Sequence, residues 1–334
     1  MRLDVKTKVQ AIRITEYGGT EVMKFSDFEL PSLVAGEARV QIHAAGVNFV
    51  DIYERRGTYR DNVALPYTPG REGAGVVVAI GDGVTNVKVG DRVAYCFGNG
   101  SYAQAKNVPA NRLILLPDEL TFEQGAAFPL QGMTAHYLLH DFHRLQPGET
   151  VLVHAAAGGM GLLLVQWAAR QFGARVIGTV STEKKAKVAR EAGAHDVIIY
   201  TEQDFVKESR RLTDNRGPDY IIDGVGRDTF TKDLEAVASK GHIVLFGAAS
   251  GPAEPLMPNS LQGRSITISG GSLYNHIITP EDYMKRASDV VAGLKQGWLK
   301  LNVEHVLPLK DAAKAHELLE NRSTTGKVVL NCAD

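Results

Sequence analysis

The pattern of apolar and polar positions changes character part-way along the chain. From residue 8 to about 125 it runs in short alternating stretches broken by Gly, Pro, Asn and Asp. EARVQIHAAGV, GVVVAIG and DRVAY each read as a strand, with turns at Gly81-Asp82-Gly83 and Gly90-Asp91. This zone predicts a β-rich, barrel-like domain.

From Thr150 the pattern becomes apolar strands alternating with helices. TVLVHAA reads as a strand and Gly159–Phe172 as a helix with an apolar face; RVIGTV and the charged helix Glu183–Ala192 follow. DVIIY, DYIIDGV, GHIVLFG and SITISGG continue the strand series. Such continuous apolar strands are buried on both faces, as in a parallel sheet covered by helices. Six strands in this alternation predict a doubly wound α/β fold. The tail predicts a helix (Pro280–Gly297), a strand near Val303–Leu307, a helix (Lys310–Glu320) and a strand, GKVVLNC. Periodicity does not decide whether this tail extends the parallel sheet or returns to the first domain.

One turn in the second zone carries recognisable chemistry. In VLVHAAAGGMGLLLVQWAA, Ala156-x-Gly158-x-x-Gly161 occupies the GxGxxG frame between a strand and a helix. Gly158 lets backbone approach a pyrophosphate, Gly161 lets helix and strand pack closely, and the helix N-terminus supplies N–H groups and partial positive charge. The next strand selects the dinucleotide. NAD sites place an acid at its end to hold the ribose 2′-OH. Here RVIGTV ends in Ser181-Thr182-Glu183-Lys184-Lys185. Hydroxyls followed by lysines suit a 2′-phosphate, so NADPH is the expected cofactor. Glu183 is the contrary residue, unless it serves the helix dipole.

Length and composition narrow the setting. The 334 residues suggest two domains, and 44% hydrophobic with 22% charged is ordinary for a globular protein. A net charge of -1 argues against nucleic acid or an anionic membrane as main partner. The apolar stretch Gly161–Ala169 is far too short for a membrane span, and the start MRLDVKTKVQ lacks a secretion-type apolar region. Cys96 and Cys332 form no CxxC pair, which fits a reducing, cytoplasmic setting. His136, His140 and His143 stand at i, i+4 and i+7 of an apparent helix. Without HExxH order or a carboxylate partner they are not expected to hold a metal. No nucleophile-elbow arrangement supports hydrolase chemistry.

AAAGGMG, with GVNFVDIYERRGTY upstream and GSLYNHI downstream, resembles the zinc-independent quinone oxidoreductase branch of the medium-chain dehydrogenase/reductase superfamily, which includes the zeta-crystallins. The resemblance runs from about residue 8 to 332, and the NFxDxYxRxGxY block is its most specific part. It implies a GroES-like β-barrel catalytic domain (1–128 and 272–334) around a Rossmann cofactor domain (129–271), so the tail returns to the barrel. By position it implies that Lys185, Tyr200 and Arg322 contact the 2′-phosphoadenosine end of NADPH. Gly158, Gly159, Met160 and Gly161 match the diphosphate turn. Phe246 with the following GAAS (to Ser250), and Gly271, Ser272 and Leu273, match loops flanking the nicotinamide; Thr134 matches a cofactor-proximal threonine. Asn48, Asp51, Tyr53 and Tyr59 match polar residues lining the nicotinamide and quinone pocket. Met160 stands where valine is usual, and Gly270-Gly271 where bulkier or charged residues are common.

Zinc-dependent relatives carry a cysteine and a histidine where this chain has Asn48 and Arg71, in Gly46-Val47-Asn48 and Gly70-Arg71-Glu72-Gly73. A simple ketone needs a Lewis acid, whereas a quinone accepts hydride readily and becomes aromatic. The expectation is therefore zinc-free reduction of a quinone, or of another activated electrophilic acceptor, by a homodimer joined through its cofactor domains. SITISGG, the last strand of the series, lacks edge protection and is the expected pairing edge. Reduction of an activated C=C bond, as in 2-alkenal or enone reductases, is the close alternative; a non-catalytic crystallin-like or RNA-binding role is the distant one.

Overall fold

The computed structural model describes residues 7–59 and 63–333. In chain order, the first elements are β1 (Lys8–Arg13), β2 (Lys24–Glu29), β3 (Glu37–Gly46), α1 (Phe49–Arg55), β4 (Glu72–Ile80), β5 (Arg92–Cys96), β6 (Ala105–Pro109), β7 (Ile114–Leu115), α2 (Phe122–Gly125) and α3 (Pro129–Tyr137). Then follow β8 (Thr150–Val153), α4 (Gly159–Gln171), β9 (Arg175–Val180), α5 (Glu183–Ala192), β10 (Asp196–Ile199), α6 (Phe205–Leu212), β11 (Tyr220–Asp223), α7 (Phe230–Ala236), β12 (His242–Leu245) and β13 (Thr267–Gly270). The tail adds α8 (Pro280–Lys295), β14 (Val303–Pro308), α9 (Ala312–Glu320) and β15 (Lys327–Asn331).

The chain divides into two units. The first comprises the chain up to Leu130, Thr279–Ala287 and everything from Val303; the second comprises Gln131–Ile278 and Ser288–Asn302. The first unit is β-rich. Its larger sheet runs β14-β15-β3-β4-β5-β7, with β6 also on β3, and β1 pairs with β2. Strand β15 joins β3 antiparallel, Val329 opposite Gly46, so the end of the chain returns to the first domain. Alternating inward residues (Val40 and Ile42 of β3, Val93 and Tyr95 of β5, Val328 and Leu330 of β15) form one buried core with Ala312, Ala315 and Leu319 of α9. This is the GroES-like barrel.

The second unit is a six-stranded sheet in the order β10-β9-β8-β11-β12-β13, every neighbouring pair parallel. The order reverses between β8 and β11, the doubly wound arrangement that places ligands beyond the carboxyl ends of the strands. Leu152, Ile177, Ile198, Ile221 and Ile243, one from each of five strands, pack into its core.

The structure departs from the sequence reading in several places. Residues 272–278 and 288–302 group with the Rossmann unit, not the barrel. Packing explains this: a Cβ on Gly132 would meet Val290 at 2.8 Å, His136 bonds Asp289 at 2.8 Å, and Gln166 bonds both polar backbone groups of Lys300. Strand β13 begins only at Thr267, because Ser265, at φ +52°, ends a preceding 3-10 turn. Two of the three histidines share a face and the third does not: the His136 and His140 rings stack, centroids 4.1 Å apart, and His143 has left the helical turn. Helix α3 ends at Tyr137, His140 lies in a π turn (Leu138–Phe142), and His143 is extended. His136 bonds Asp289, while His143 lies 3.1 Å from Glu149.

Candidate active site

The barrel contributes a buried polar cluster around the start of α1. Asn48, 4% exposed, precedes the helix, and its backbone N–H donates to Asp51 Oδ2 at 2.9 Å. Its side-chain amide turns inward. Nδ2 donates to Glu72 Oε1 at 2.7 Å, and Oδ1 accepts from Lys327 Nζ at 2.7 Å. Lys327 also donates to Glu72 Oε1 at 2.5 Å, and Glu72 Oε2 accepts the Leu130 N–H at 2.8 Å. Lys327 and Glu72 are 3% and 0% exposed, so this is an ion pair in the protein interior.

Asp51 is fully buried. Tyr102 donates its hydroxyl to Asp51 Oδ2 at 3.0 Å and lies 3.1 Å from His316 Nε2. Arg55 reaches His316 Nδ1 at 3.1 Å and Glu320 at 2.6 Å. Burial, with help from the charge of Glu54, raises the Asp51 carboxyl to about 7. Burial, then the charge of Arg55, lowers His316 to about 3 and keeps the ring neutral. Of the residues singled out in this block, Tyr53 and Tyr59 are the half-buried ones. Tyr53 lies beside Phe49, ring centroids 6.2 Å apart. The Arg71 guanidinium sits 5.7 Å over the Tyr59 ring, and its Nε donates to buried Glu54 at 2.9 Å.

The second unit builds the glycine turn between β8 and α4. Ala155, at φ +51°, swings the chain from β8 towards α4, and Gly158 caps the helix. A Cβ on Gly161 would sit 2.3 Å from the Ala155 carbonyl oxygen, so only glycine permits this approach. A Cβ on Gly158 would meet nothing closer than that oxygen at 3.3 Å, leaving room in front of the turn. The first-turn N–H groups of Gly159, Met160 and Gly161 are those an α-helix leaves for an outside acceptor. Below the turn, His154 is held by Thr179 and Asp233, both at 2.8 Å. Burial pushes the imidazole down, but the carboxylates of Asp233 and Asp223 outweigh it and raise its pKa.

At the ends of β9 and β10 the structure brings together Ser181, Thr182, Lys185 and Tyr200. Thr182 caps α5 by accepting the Lys185 N–H at 3.3 Å, which leaves its hydroxyl proton available to donate. Thr201 Oγ1 donates to the Ser181 carbonyl at 2.9 Å, and Tyr200 is 40% exposed. Glu183 turns back along α5 to Arg190, 2.6 Å away. Arg322 follows α9 in the barrel unit at φ +54°.

The remaining positions lie in the second unit. Thr134 is buried within α3. The Phe246 ring packs over Gly224, where a Cβ would meet it at 2.6 Å. Ser250 donates to the Val225 carbonyl at 2.8 Å and accepts the Asp228 N–H at 3.0 Å, so its hydroxyl joins two loops. Gly271 packs on Tyr137, and Ser272 precedes a 3-10 turn that begins with buried Leu273. Sequence reasoning missed Lys327, His154 and Gln131. Gln131 Oε1 stands 2.5 Å from where a Gly159 Cβ would be, at the mouth of the turn. The one available signal was a lysine heading the apolar run VVL.

Comparison with known proteins identifies the family. Residues 34–118 match the alcohol dehydrogenase GroES-like domain, and residues 159–292 match the zinc-binding dehydrogenase domain. A quinone oxidoreductase of Pseudomonas aeruginosa is 40% identical over 321 residues, covering 96% of this chain and 98% of the relative. A 2-haloacrylate reductase of a Burkholderia species is 39% identical over 329 residues, with the same coverage. The crystal structure of Escherichia coli quinone oxidoreductase complexed with NADPH superposes with a TM-score of 0.92 at 37% identity, covering 96% of this chain and 99% of that one. The chain therefore belongs to the medium-chain dehydrogenase/reductase superfamily, in its quinone oxidoreductase branch.

Proposed function

We propose that this chain reduces a quinone with NADPH and without zinc. The observation that carries the reading is the Lys327–Glu72–Asn48 cluster. By the resemblance, Asn48 stands where zinc-dependent relatives carry a cysteine, and the donor set of this cluster does not suit a metal. Zinc needs three or four N, S or O ligands. Here an ammonium lies within hydrogen-bond distance of both the carboxylate and the amide, and would repel a dication. A quinone needs no Lewis acid, because reduction makes it aromatic.

The chain's own residues supply binding and orientation. Gly158, Gly159, Met160 and Gly161 hold the diphosphate; Ser181, Thr182, Lys185 and Tyr200, with Arg322, hold the 2′-phosphate. Thr134, Phe246, Ser250, Gly271, Ser272 and Leu273 shape the nicotinamide surroundings. Bound there, the reduced nicotinamide supplies a hydride. Tyr53 and Tyr59 face the acceptor, Tyr53 donating a hydrogen bond to its oxygen while Asn48 and Asp51 fix the start of α1. Water supplies the proton that the reduced ring takes up.

A second reading, reduction of an activated C=C bond, is favoured by the 39% identity to a 2-haloacrylate reductase. Steady-state kcat/KM for a small quinone against a 2-haloacrylate separates the two. Quinone should be preferred at least tenfold, and the opposite order would assign the chain to C=C reduction.

The working form is a homodimer in the cytoplasm. Strand β13 is the edge of the parallel sheet, only half-covered and free of proline and lysine, and offers its backbone to a second copy. Light scattering should report twice the chain mass at micromolar concentration; a monomer would contradict it. Cys96 and Cys332 are buried free thiols, as expected in a reducing compartment. Among the described residues no helix is long and apolar enough to cross a membrane.

A further inference from the structure

We propose that Lys327 is a positioning residue for the acceptor: a buried ammonium that sets the orientation of Asn48 and anchors the start of the helix bearing Tyr53. The proposal rests on the reading of Tyr53 as an acceptor-side residue whose helix Asn48 fixes.

Donor and acceptor types fix the Asn48 amide. An ammonium can only donate, and an ionised carboxylate can only accept. Asn48 lies against both, with Oδ1 2.7 Å from Lys327 Nζ and Nδ2 2.7 Å from Glu72 Oε1. Rotating the amide by half a turn would set its NH2 against an ammonium and its oxygen against a carboxylate. One amide orientation is therefore allowed, and the ion pair enforces it. Glu72 is itself held by Lys327 at 2.5 Å and by the Leu130 N–H at 2.8 Å, so the reference point does not drift.

Orientation then passes along the backbone. The Asn48 N–H is bonded to Asp51 Oδ2, closing the first turn of α1, and Tyr53 follows two residues after Asp51 on that seven-residue helix. A helix this short has little cooperative stiffness of its own. Its entry is fixed by Lys327 and Glu72, from β15 and β4, two strands of one sheet. The charges balance within the cluster, one ammonium against one carboxylate. Removing either alone leaves an uncompensated buried charge, which proteins tolerate poorly.

The test is built around that balance. The double variant Lys327→Met with Glu72→Gln removes both charges and keeps similar volumes, and Lys327→Arg keeps the charge but alters its reach. For each, thermal unfolding, NADPH affinity by fluorescence titration, and kcat and KM for a fixed small quinone are measured. Asn48→Ala runs alongside. The phosphate turn lies in the other unit, so NADPH affinity should change less than twofold in both Lys327 variants. KM for the quinone should rise about tenfold to a hundredfold in the double variant and severalfold in Lys327→Arg, with kcat less affected. Quinone kinetics within twofold of wild type in either folded variant would overturn the proposal. So would equal losses in NADPH affinity and quinone kinetics, which would mark a purely structural pair. If the double variant does not fold, Lys327→Arg decides alone. If Asn48→Ala leaves the quinone KM unchanged, the acceptor-side reading itself fails. If Asn48→Ala raises KM and the Lys327 variants do not, only the role of Lys327 fails.

Discussion

Arg55 Nη1 lies 3.1 Å from His316 Nδ1, and this one contact sets the polarity of a buried chain. A guanidinium can only donate, so Nδ1 accepts and the neutral ring carries its proton on Nε2. Nε2–H therefore donates to the Tyr102 oxygen, 3.1 Å away, and Tyr102 O–H donates to Asp51. Protonating His316 would place a second cation beside Arg55 with Nδ1–H pointing at a donor. Burial first, and then this conflict with Arg55, lower the ring's pKa to about 3.

The consequence is a pH-dependent stability term with a definite sign. An unfolded histidine titrates near 6.5, while the folded one stays neutral. The contribution of His316 is thus fully present above about pH 6.5 and lost as pH falls towards 3, by about 1.4 kcal/mol per pH unit. His316→Gln lacks this term. It should be less stable than wild type at neutral pH, and the gap should narrow on acidification. Urea denaturation of both proteins across the acid range measures it; a gap independent of pH would refute the assignment.

In the proposed function, cofactor selection turns on the end of β9. Glu183 is drawn towards Arg190, and Lys185 starts the helix that Thr182 caps. Lys185→Met should weaken NADPH binding about tenfold to a hundredfold, the worth of one charge-assisted contact of about 1.5–3 kcal/mol. NADH, lacking the 2′-phosphate, should bind the variant as it binds wild type. Titration showing equal losses for both dinucleotides would mean that Lys185 does not read the 2′-phosphate.

Gly161→Ala should be damaging for a local reason. The added methyl would sit 2.3 Å from the backbone oxygen of Ala155, which cannot swing aside as a side chain would. Overpacking of this kind costs about 1–3 kcal/mol. Calorimetry should show a lower melting temperature, and NADPH should bind more weakly as helix α4 moves off the turn. An unchanged melting temperature would show that the helix has room to spare.

Much of this was legible from pattern. Strands β8 to β12 are short but almost wholly apolar runs, and helices α4 and α5 are bounded by Gly158 and Gly193, so local chemistry and tertiary packing agree. Helix α1 was not legible, because FVDIYER is seven residues in a strand-rich zone and draws its stability from Asn48, Asp51 and the packing beneath. Lys327 was missed because a lysine at a strand start ordinarily reads as exposed, and only the approach of β15 to Glu72 reveals the pairing. Asp51 was assigned to a pocket wall by its motif. Its full burial follows from Tyr102, a residue half a hundred positions away.

Tyr53 should matter for binding more than for chemistry. In the proposed function its phenol orients the acceptor oxygen, and the reduced quinone can take its proton from water. Tyr53→Phe should retain quinone reduction with KM raised on the order of tenfold, as expected for one hydrogen bond worth about 1 kcal/mol. A fall in kcat beyond about a thousandfold, with the fold intact, would instead mark obligatory proton transfer from Tyr53.

The central claim is that this chain passes hydride from NADPH to a quinone with no metal in the reaction. The most direct measurement is quinone-dependent oxidation of NADPH by protein treated with a strong chelator and shown by elemental analysis to be zinc-free. Turnover should lie in the ordinary enzymatic range, about 1–10³ per second, unchanged by added zinc and at least tenfold lower in kcat/KM with NADH. No quinone-dependent oxidation, or activity that appears only when zinc is restored, would contradict it.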